Sequence, residues 1–258
     1  MDRGIDTFAI RSLWGKNIAE LDHAKLRVLN DLVHQYDISI SSILSPLFKC
    51  YVDPILGDKN RATHSYEHFI GFSPDLEDHE DLLKRLIVVS KRLTVSRIRV
   101  FGFLRSGRVQ MKHVEKKIGE RLREAARQAQ ESGITLLLEN EHTCFVDTIE
   151  AATRFVESQL EAAKNVKLAV DPCNHVLSRS SADVFDWVKE ARNVMLDIHV
   201  KDVTKNGKYV VMGNGVVGWS RILNFLNSSN YDHYVTLEPH LNRRRLNDSI
   251  KQMKKWLR

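Results

Sequence analysis

Short β-branched or apolar runs alternate along this chain with longer runs whose apolar residues recur at helical spacing. That alternation narrows the fold more than any other feature. Strand candidates are Thr7–Ile10, 38–44, 97–103, 134–139, Val166–Val170, 194–200 and Tyr234–Leu237. Helix candidates are 22–36, Leu76–Leu93, 111–131, 147–163, 182–191, 219–226 and 247–257. Asp147 is the expected N-cap of its helix and Gly133 the stop of the one before. Strict alternation implies parallel strands with crossover helices, which leaves a doubly wound sheet or a (β/α) barrel. The runs Ile134-Thr-Leu-Leu-Leu138 and Val166-Lys-Leu-Ala-Val170 are nearly all apolar, as in strands covered on both faces. No Gly-x-Gly-x-x-Gly directly follows a strand candidate, so a dinucleotide-binding half has no support. No repeat and no Pro-, Gly- or Ser-rich linker interrupts the 258 residues. One domain over residues 1–258 is the expectation, at a length that suits a single α/β barrel.

Composition excludes several classes. With 43% hydrophobic and 28% charged residues, the chain is neither disordered nor low in complexity. No apolar run approaches the ~20 residues of a membrane span. The first residues carry an early acid and no long apolar stretch, so no secretory signal is visible and a cytoplasmic location is expected. Cys50, Cys144 and Cys173 are odd in number and lack a Cys-x-x-Cys pair, which reads as reduced thiols. The net charge of +6 invites a nucleic-acid partner. However, the basic residues interleave with acids, as in Lys116, Lys117, Glu120, Arg121, Arg123 and Glu124, the pattern of a solvated helix face.

Four strand candidates end in a potential metal ligand: Leu136-Leu-Leu-Glu139, Leu168-Ala-Val-Asp171, Met195-Leu-Asp-Ile-His199 and Val235-Thr-Leu-Glu238. Successive ligands are 32, 28 and 39 residues apart, about one βα unit each. On parallel neighbouring strands all four emerge at the carboxyl-end rim, where barrel enzymes keep their active sites. Pro172 and Pro239 directly follow two of the acids and turn the chain out of the strand. Three bunched carboxylates repel strongly at low dielectric, and a divalent cation relieves that repulsion. Three carboxylates with one imidazole suit Mn²⁺, Mg²⁺ or a related ion better than a thiol-loving metal.

The segments Leu138-Glu-Asn140, Val170-Asp-Pro-Cys-Asn174, His199-Val-Lys-Asp202, Gly213-Asn-Gly215 and Leu237-Glu-Pro-His240 resemble those of the xylose isomerase-like TIM-barrel superfamily. The similarity is to its sugar phosphate isomerase/epimerase branch, with ketose 3-epimerases, inosose dehydratase-like proteins and hydroxypyruvate isomerases. Arg11-Ser-Leu-Trp-Gly-Lys-Asn17 and Ser45-Pro-Leu-Phe-Lys49 extend the resemblance over nearly the whole chain. It implies a TIM-type barrel with Glu139, Asp171, His199 and Glu238 as ligands of one divalent ion. Mn²⁺ is the expected ion, and Mg²⁺, Co²⁺ and Zn²⁺ are alternatives. The implied partner is a sugar or polyol; no membrane partner is expected and a nucleic acid is disfavoured.

Three departures from the family bear on that expectation. Seven strand candidates are present, as though the first βα unit of the barrel were missing. A seam covered by side chains and loops, or by a second copy of the chain, is therefore expected. Ala9 stands where the family often has Glu. Asn174, with His175 beside it, stands where many members have His.

Lower-ranked candidates surround the four ligands. Lys201 lies two residues beyond His199, on the same strand face, and could reach a substrate oxygen or phosphate; Asp202 faces away as an anchor. His142, Asn174 and His240 are candidate substrate contacts. Gly213–Gly215 is a loop or a turn, and Arg243-Arg-Arg245 a basic turn in the last βα loop. Cys173 is read as packing. Glu139 and Glu238, on separated strands, are the candidate proton-transfer pair of an epimerase or isomerase working through an enediolate. The same ligands would equally serve a dehydratase or lyase. A non-catalytic sugar-binding protein is a third reading. An endonuclease IV-like nuclease is set aside, because those enzymes use more histidines and this chain has no Asp-x-His after His199.

Overall fold

The computed structural model describes residues 5–53, 76–105, 109–178 and 183–256. In chain order the main elements are β1 (Thr7–Ile10), α1 (His23–Gln35), β2 (Ser39–Ile43), α2 (Leu76–Leu93), β3 (Arg97–Phe101) and α3 (Glu115–Gln130). They continue with β4 (Thr135–Glu139), α4 (Ile149–Gln159), β5 (Val166–Val170), α5 (Pro172–Ser178) and α6 (Val184–Ala191). The series closes with β6 (Met195–Val200), α7 (Trp219–Ser228), β7 (Tyr234–Leu237) and α8 (Arg243–Trp256). The seven strands form one sheet in the order β1-β2-β3-β4-β5-β6-β7. The described pairings of β1 with β2, β2 with β3, β5 with β6 and β6 with β7 are parallel. An order that never reverses is that of a (β/α) TIM-type barrel. A doubly wound sheet would return past its first strand. The seven expected strands are all found.

The chain divides into two compact units, one of residues 1–138, 143–145 and 157–167, the other of 139–142, 146–156 and 168–258. In the first, α2 buries Leu82, Leu83, Leu86, Val89 and Leu93, and α3 buries Ile118, Leu122, Ala125, Ala126 and Ala129. Each fully buried Leu contributes roughly 1.5–3 kcal/mol. The opposite face of α3 is solvated as its charge pattern implies: Arg127 pairs with Glu124 and Glu131, and Arg121 reaches Glu80 on α2. Arg99 is buried and donates to the carbonyls of Leu44 and Ser45, at 3.2–3.3 Å. In the second unit residues 168–170 of β5 and nearly all of β6 are buried, and α7 buries Trp219, Ile222, Leu223 and Leu226.

Local chemistry moves a few boundaries. The helix expected to start at Asp147 is capped one residue later, where Thr148 Oγ1 accepts from the Ala151 N–H at 3.1 Å. Arg243, Arg244 and Arg245 form the first turn of α8 rather than a loop, and Asn242 Oδ1 caps it through the Arg245 N–H at 3.1 Å. Cations at a helix N-terminus oppose its dipole, so the sequence pattern hides this start. Helix α5 was not expected. The expected ends at Ala182 and Leu257 lie outside the described residues. Among the described residues no helix is long and apolar enough to cross a membrane.

Candidate metal centre

The strand ends of the second unit assemble the site. Glu139 closes β4 and is buried, and Asp171 follows β5 directly. His199 lies inside β6, and Glu238 follows β7. Each strand delivers its group at its carboxyl end, because parallel pairing aligns those ends. The Glu238 N–H continues that pairing by donating to the Val200 carbonyl at 3.0 Å. All four residues offer one ligand atom, and these atoms lie within 4.8 Å of one another. Atoms ~2.0–2.4 Å from a shared ion can be up to about twice that distance apart, so the set fits a single divalent ion.

Asp171 shows how the local sequence builds the centre. Pro172 starts α5 with a fixed φ and no N–H to satisfy, and Asp171 is the residue before it. Asp171 Oδ1 caps the helix by accepting from the Asn174 N–H at 2.8 Å. Its other oxygen, Oδ2, faces the site and meets Lys201 Nζ at 2.7 Å. Asn140 ties β4 to β5 beside it: its amide donates to the Asp171 carbonyl at 2.8 Å and accepts from the Asp171 N–H at 2.7 Å.

His199 is fully buried, and neither ring nitrogen makes a hydrogen bond among the described residues. Its Nδ1 lies 3.5 Å from Glu139 and 3.7 Å from Glu238, while Nε2 lies 3.6 Å from Asp197 Oδ2. Asp197 is itself fixed by the Thr236 hydroxyl, which donates to Oδ1 at 2.7 Å. One ring nitrogen thus faces the carboxylates of the site and the other a buried acid, the arrangement that orients a ligating imidazole. Sequence reasoning passed over Asp197. Its signal was the two-residue spacing to His199, which puts both side chains on one face of β6.

The charges hold each other in place. Burial works against the imidazolium, but the Glu139 and Asp197 carboxylates outweigh it and hold His199 well above the ordinary histidine range. Burial likewise opposes the Lys201 ammonium and is outweighed by Asp171, Glu238, Glu139 and Glu141. For Asp171 burial dominates over the pull of Lys201, and the neighbouring Glu139 adds to it, pushing the carboxyl up to about 6. A cluster so rich in buried acids is one that a divalent ion could occupy.

The other candidates lie around this core. The Asn174 amide donates to Glu139 Oε1 at 3.2 Å, the Asn140 carbonyl at 3.0 Å and Glu141 Oε2 at 3.4 Å, all buried. It braces carboxylates from beneath. His142 and His240 are partly exposed at the rim: His142 Nδ1 is 3.0 Å from Glu141, and His240 Nε2 is 3.7 Å from Glu238. Tyr209, not anticipated, stacks on His240 with ring centroids 5.0 Å apart, and burial pushes its hydroxyl up to about 12. Glu141, also not anticipated, repeats the Glu139 chemistry two residues on. His175 turns away, accepting from the Ile149 N–H. Burial pushes the Cys173 thiol far up, which removes it as a nucleophile. Asp202 faces away from the centre, as expected, but anchors a loop and not a helix. Its carboxylate accepts from the N–H groups of Val203, Gly213, Gly215 and Val217 at 2.9–3.3 Å. A Cβ on Gly215 would collide with that carboxylate, so the Gly213-Asn-Gly215 motif is a seat for Asp202.

Comparison with known proteins agrees with this architecture. No match is found among curated protein sequences. Among solved structures, the probable 3-DHS dehydratase AsbF of Bacillus anthracis superposes with a TM-score of 0.74 at 15% identity, over 98% of this chain and 90% of that one. The 3-keto-D-glucoside 4-epimerase YcjR of E. coli gives 0.72 at 14% identity, over 99% and 90%. The IOLI protein, solved with a bound zinc atom, gives 0.73 at 18% identity, over 99% and 87%. At these identities the likeness is one of fold. The family model of the xylose isomerase-like TIM barrel matches residues 2–258, and the chain belongs to that family.

Proposed function

We propose that this protein is a divalent-metal-dependent isomerase or epimerase of a sugar, sugar phosphate or keto-polyol. The observation that carries the reading is the convergence of Glu139, Asp171, His199 and Glu238 within 4.8 Å at the ends of four strands. A divalent ion held there supplies Lewis acidity toward a carbonyl and its neighbouring hydroxyl oxygen. Glu139 and Glu238 stand on separated strands, β4 and β7, and serve as the two carboxylates of the reaction. One accepts the proton from the carbon beside the carbonyl, leaving an enediolate, and the other returns a proton to the opposite face. Asp171 and His199 act as ligands. Asn174 keeps Glu139 oriented through its amide, while His142 and His240 at the rim meet substrate hydroxyls. The solved relatives of this fold include an epimerase and a probable dehydratase, in line with carbonyl chemistry at such a centre.

The test is proton chemistry. Ketoses and keto-polyols incubated with the metal-loaded protein in D₂O should gain deuterium at the carbon beside the carbonyl. Glu238→Gln should stop this with its metal content, measured in parallel, unchanged. Loss of water with a new double bond would instead assign elimination at the same site. Metal bound with neither exchange nor elimination across a broad panel would leave a sugar-binding protein.

A further inference from the structure

Lys201 holds its charge against the oxygens that a metal would need. Asp171 Oδ1 is engaged by the Asn174 N–H, so Oδ2 is the oxygen left for coordination, and Lys201 Nζ lies 2.7 Å from it. The same ammonium lies 3.2 Å from Glu238 Oε2. The side chain is 4% exposed, so solvent screens little of this interaction. An ion bonded to Asp171 and Glu238 at ~2.0–2.4 Å would draw on the same two carboxylates. Two cations drawing on both carboxylates in a buried site repel each other strongly. The two occupancies therefore compete. The backbone at Lys201 is fixed, because Trp219 Nε1 donates to its carbonyl at 2.8 Å. Release would involve only the flexible four-carbon stem.

We propose that the Lys201 ammonium is a built-in competitor for the metal. It neutralises Asp171 and Glu238 in the metal-free protein and must leave them when a divalent ion enters. The proposal rests on the metal-site reading above. Its consequence is a cluster of buried acids that folds without an ion, at the cost of weaker metal binding. Once displaced, the ammonium is free to turn to an oxygen of the substrate.

The experiment is a calorimetric titration of the metal-free full chain with Mn²⁺ alone, near pH 7.5. Lys201→Met removes the charge and keeps the length of the stem. It should bind Mn²⁺ at least ~10-fold more tightly, because no cation has to leave. Its metal-free Tm should fall below wild type and its Mn²⁺-induced rise in Tm should be larger. Lys201→Arg, which keeps the charge, should bind no more tightly than wild type. A second measurement needs no variant: acetylation of Lys201, followed by mass spectrometry, should rise several-fold on saturation with Mn²⁺. Equal or weaker binding by Lys201→Met, or unchanged labelling of Lys201, would overturn the competition while leaving the metal site standing. Failure of wild type and variant alike to bind Mn²⁺ would remove the site and the proposal together.

Discussion

The two compact units bury polar groups in different ways. In the first, buried polar side chains are matched to backbone. Arg99 donates to the Leu44 and Ser45 carbonyls, Ser45 Oγ donates to the Arg99 carbonyl, and His79 Nδ1 accepts from the Phe48 N–H. In the second, Asp202, His175 and Asn140 are likewise matched to backbone, but Glu139, Asp171, Asp197, His199 and Lys201 face one another in a knot of charge. Backbone partners are fixed and neutral, so the first arrangement serves the fold. Charges matched mainly to other charges are costly to bury and persist where chemistry uses them. Similar βα construction thus carries two kinds of buried polarity.

Substitutions should separate the two halves. Asp171→Asn removes a ligand oxygen and should weaken Mn²⁺ binding at least ~100-fold by titration, with the far-ultraviolet circular dichroism unchanged. Arg99→Met should do the opposite. It strips the Leu44 and Ser45 carbonyls of a buried donor and should lower stability by about 2–4 kcal/mol in denaturant, with metal affinity unchanged. If Arg99→Met also weakens metal binding, the division of labour fails. Asp197→Asn, which loosens the hold on His199, should cost about 10–100-fold in affinity and leave stoichiometry at one ion.

The smallest effect is one of pH. Asp171 has a carboxyl pushed up to about 6 by burial, and only its ionised form coordinates. Metal affinity should therefore rise as pH climbs toward 6 from this group, and go on rising above it as His199, held well above the ordinary range, gives up its proton. The stability sign is opposite in the metal-free protein. The folded carboxyl binds its proton more tightly than the unfolded one, so this group's contribution declines between about pH 4 and 6. The loss is on the order of 3 kcal/mol. Denaturation of metal-free protein at pH 4.5 and 7 measures it, and Asp171→Asn should flatten the difference.

The frame and the clustering of Glu139, Asp171, His199 and Glu238 were legible because both rest on periodicity. Four successive βα units end a strand in a carboxylate or imidazole, and parallel pairing brings such ends together without further information. Tyr209 was not legible, since it reaches the site from a short ribbon whose position depends on the stack with His240. The first turn of α8 was hidden by three arginines that defy the helix dipole, and Thr148 by an equally plausible cap beside it. Lys201 was seen as a neighbour of His199, but its grip on Asp171 arises from the register of β5 with β6, where Val170 pairs with Ile198. Such contacts depend on strand register, which one strand's sequence does not contain.

Asp202 has a consequence for how this chain can change. Its carboxylate fastens Val203 at one end of the following segment and Gly213, Gly215 and Val217 at the other. Between these clasps the chain turns at 205–207, and none of those three residues donates to Asp202. Closing a longer loop between fixed ends costs only about 0.6 kcal/mol per doubling of its length. Residues inserted at that turn would leave the clasps, the barrel strands and the four clustered side chains where they are. The stretch that carries Tyr209 is thus open to insertion and deletion while the charged centre keeps its form.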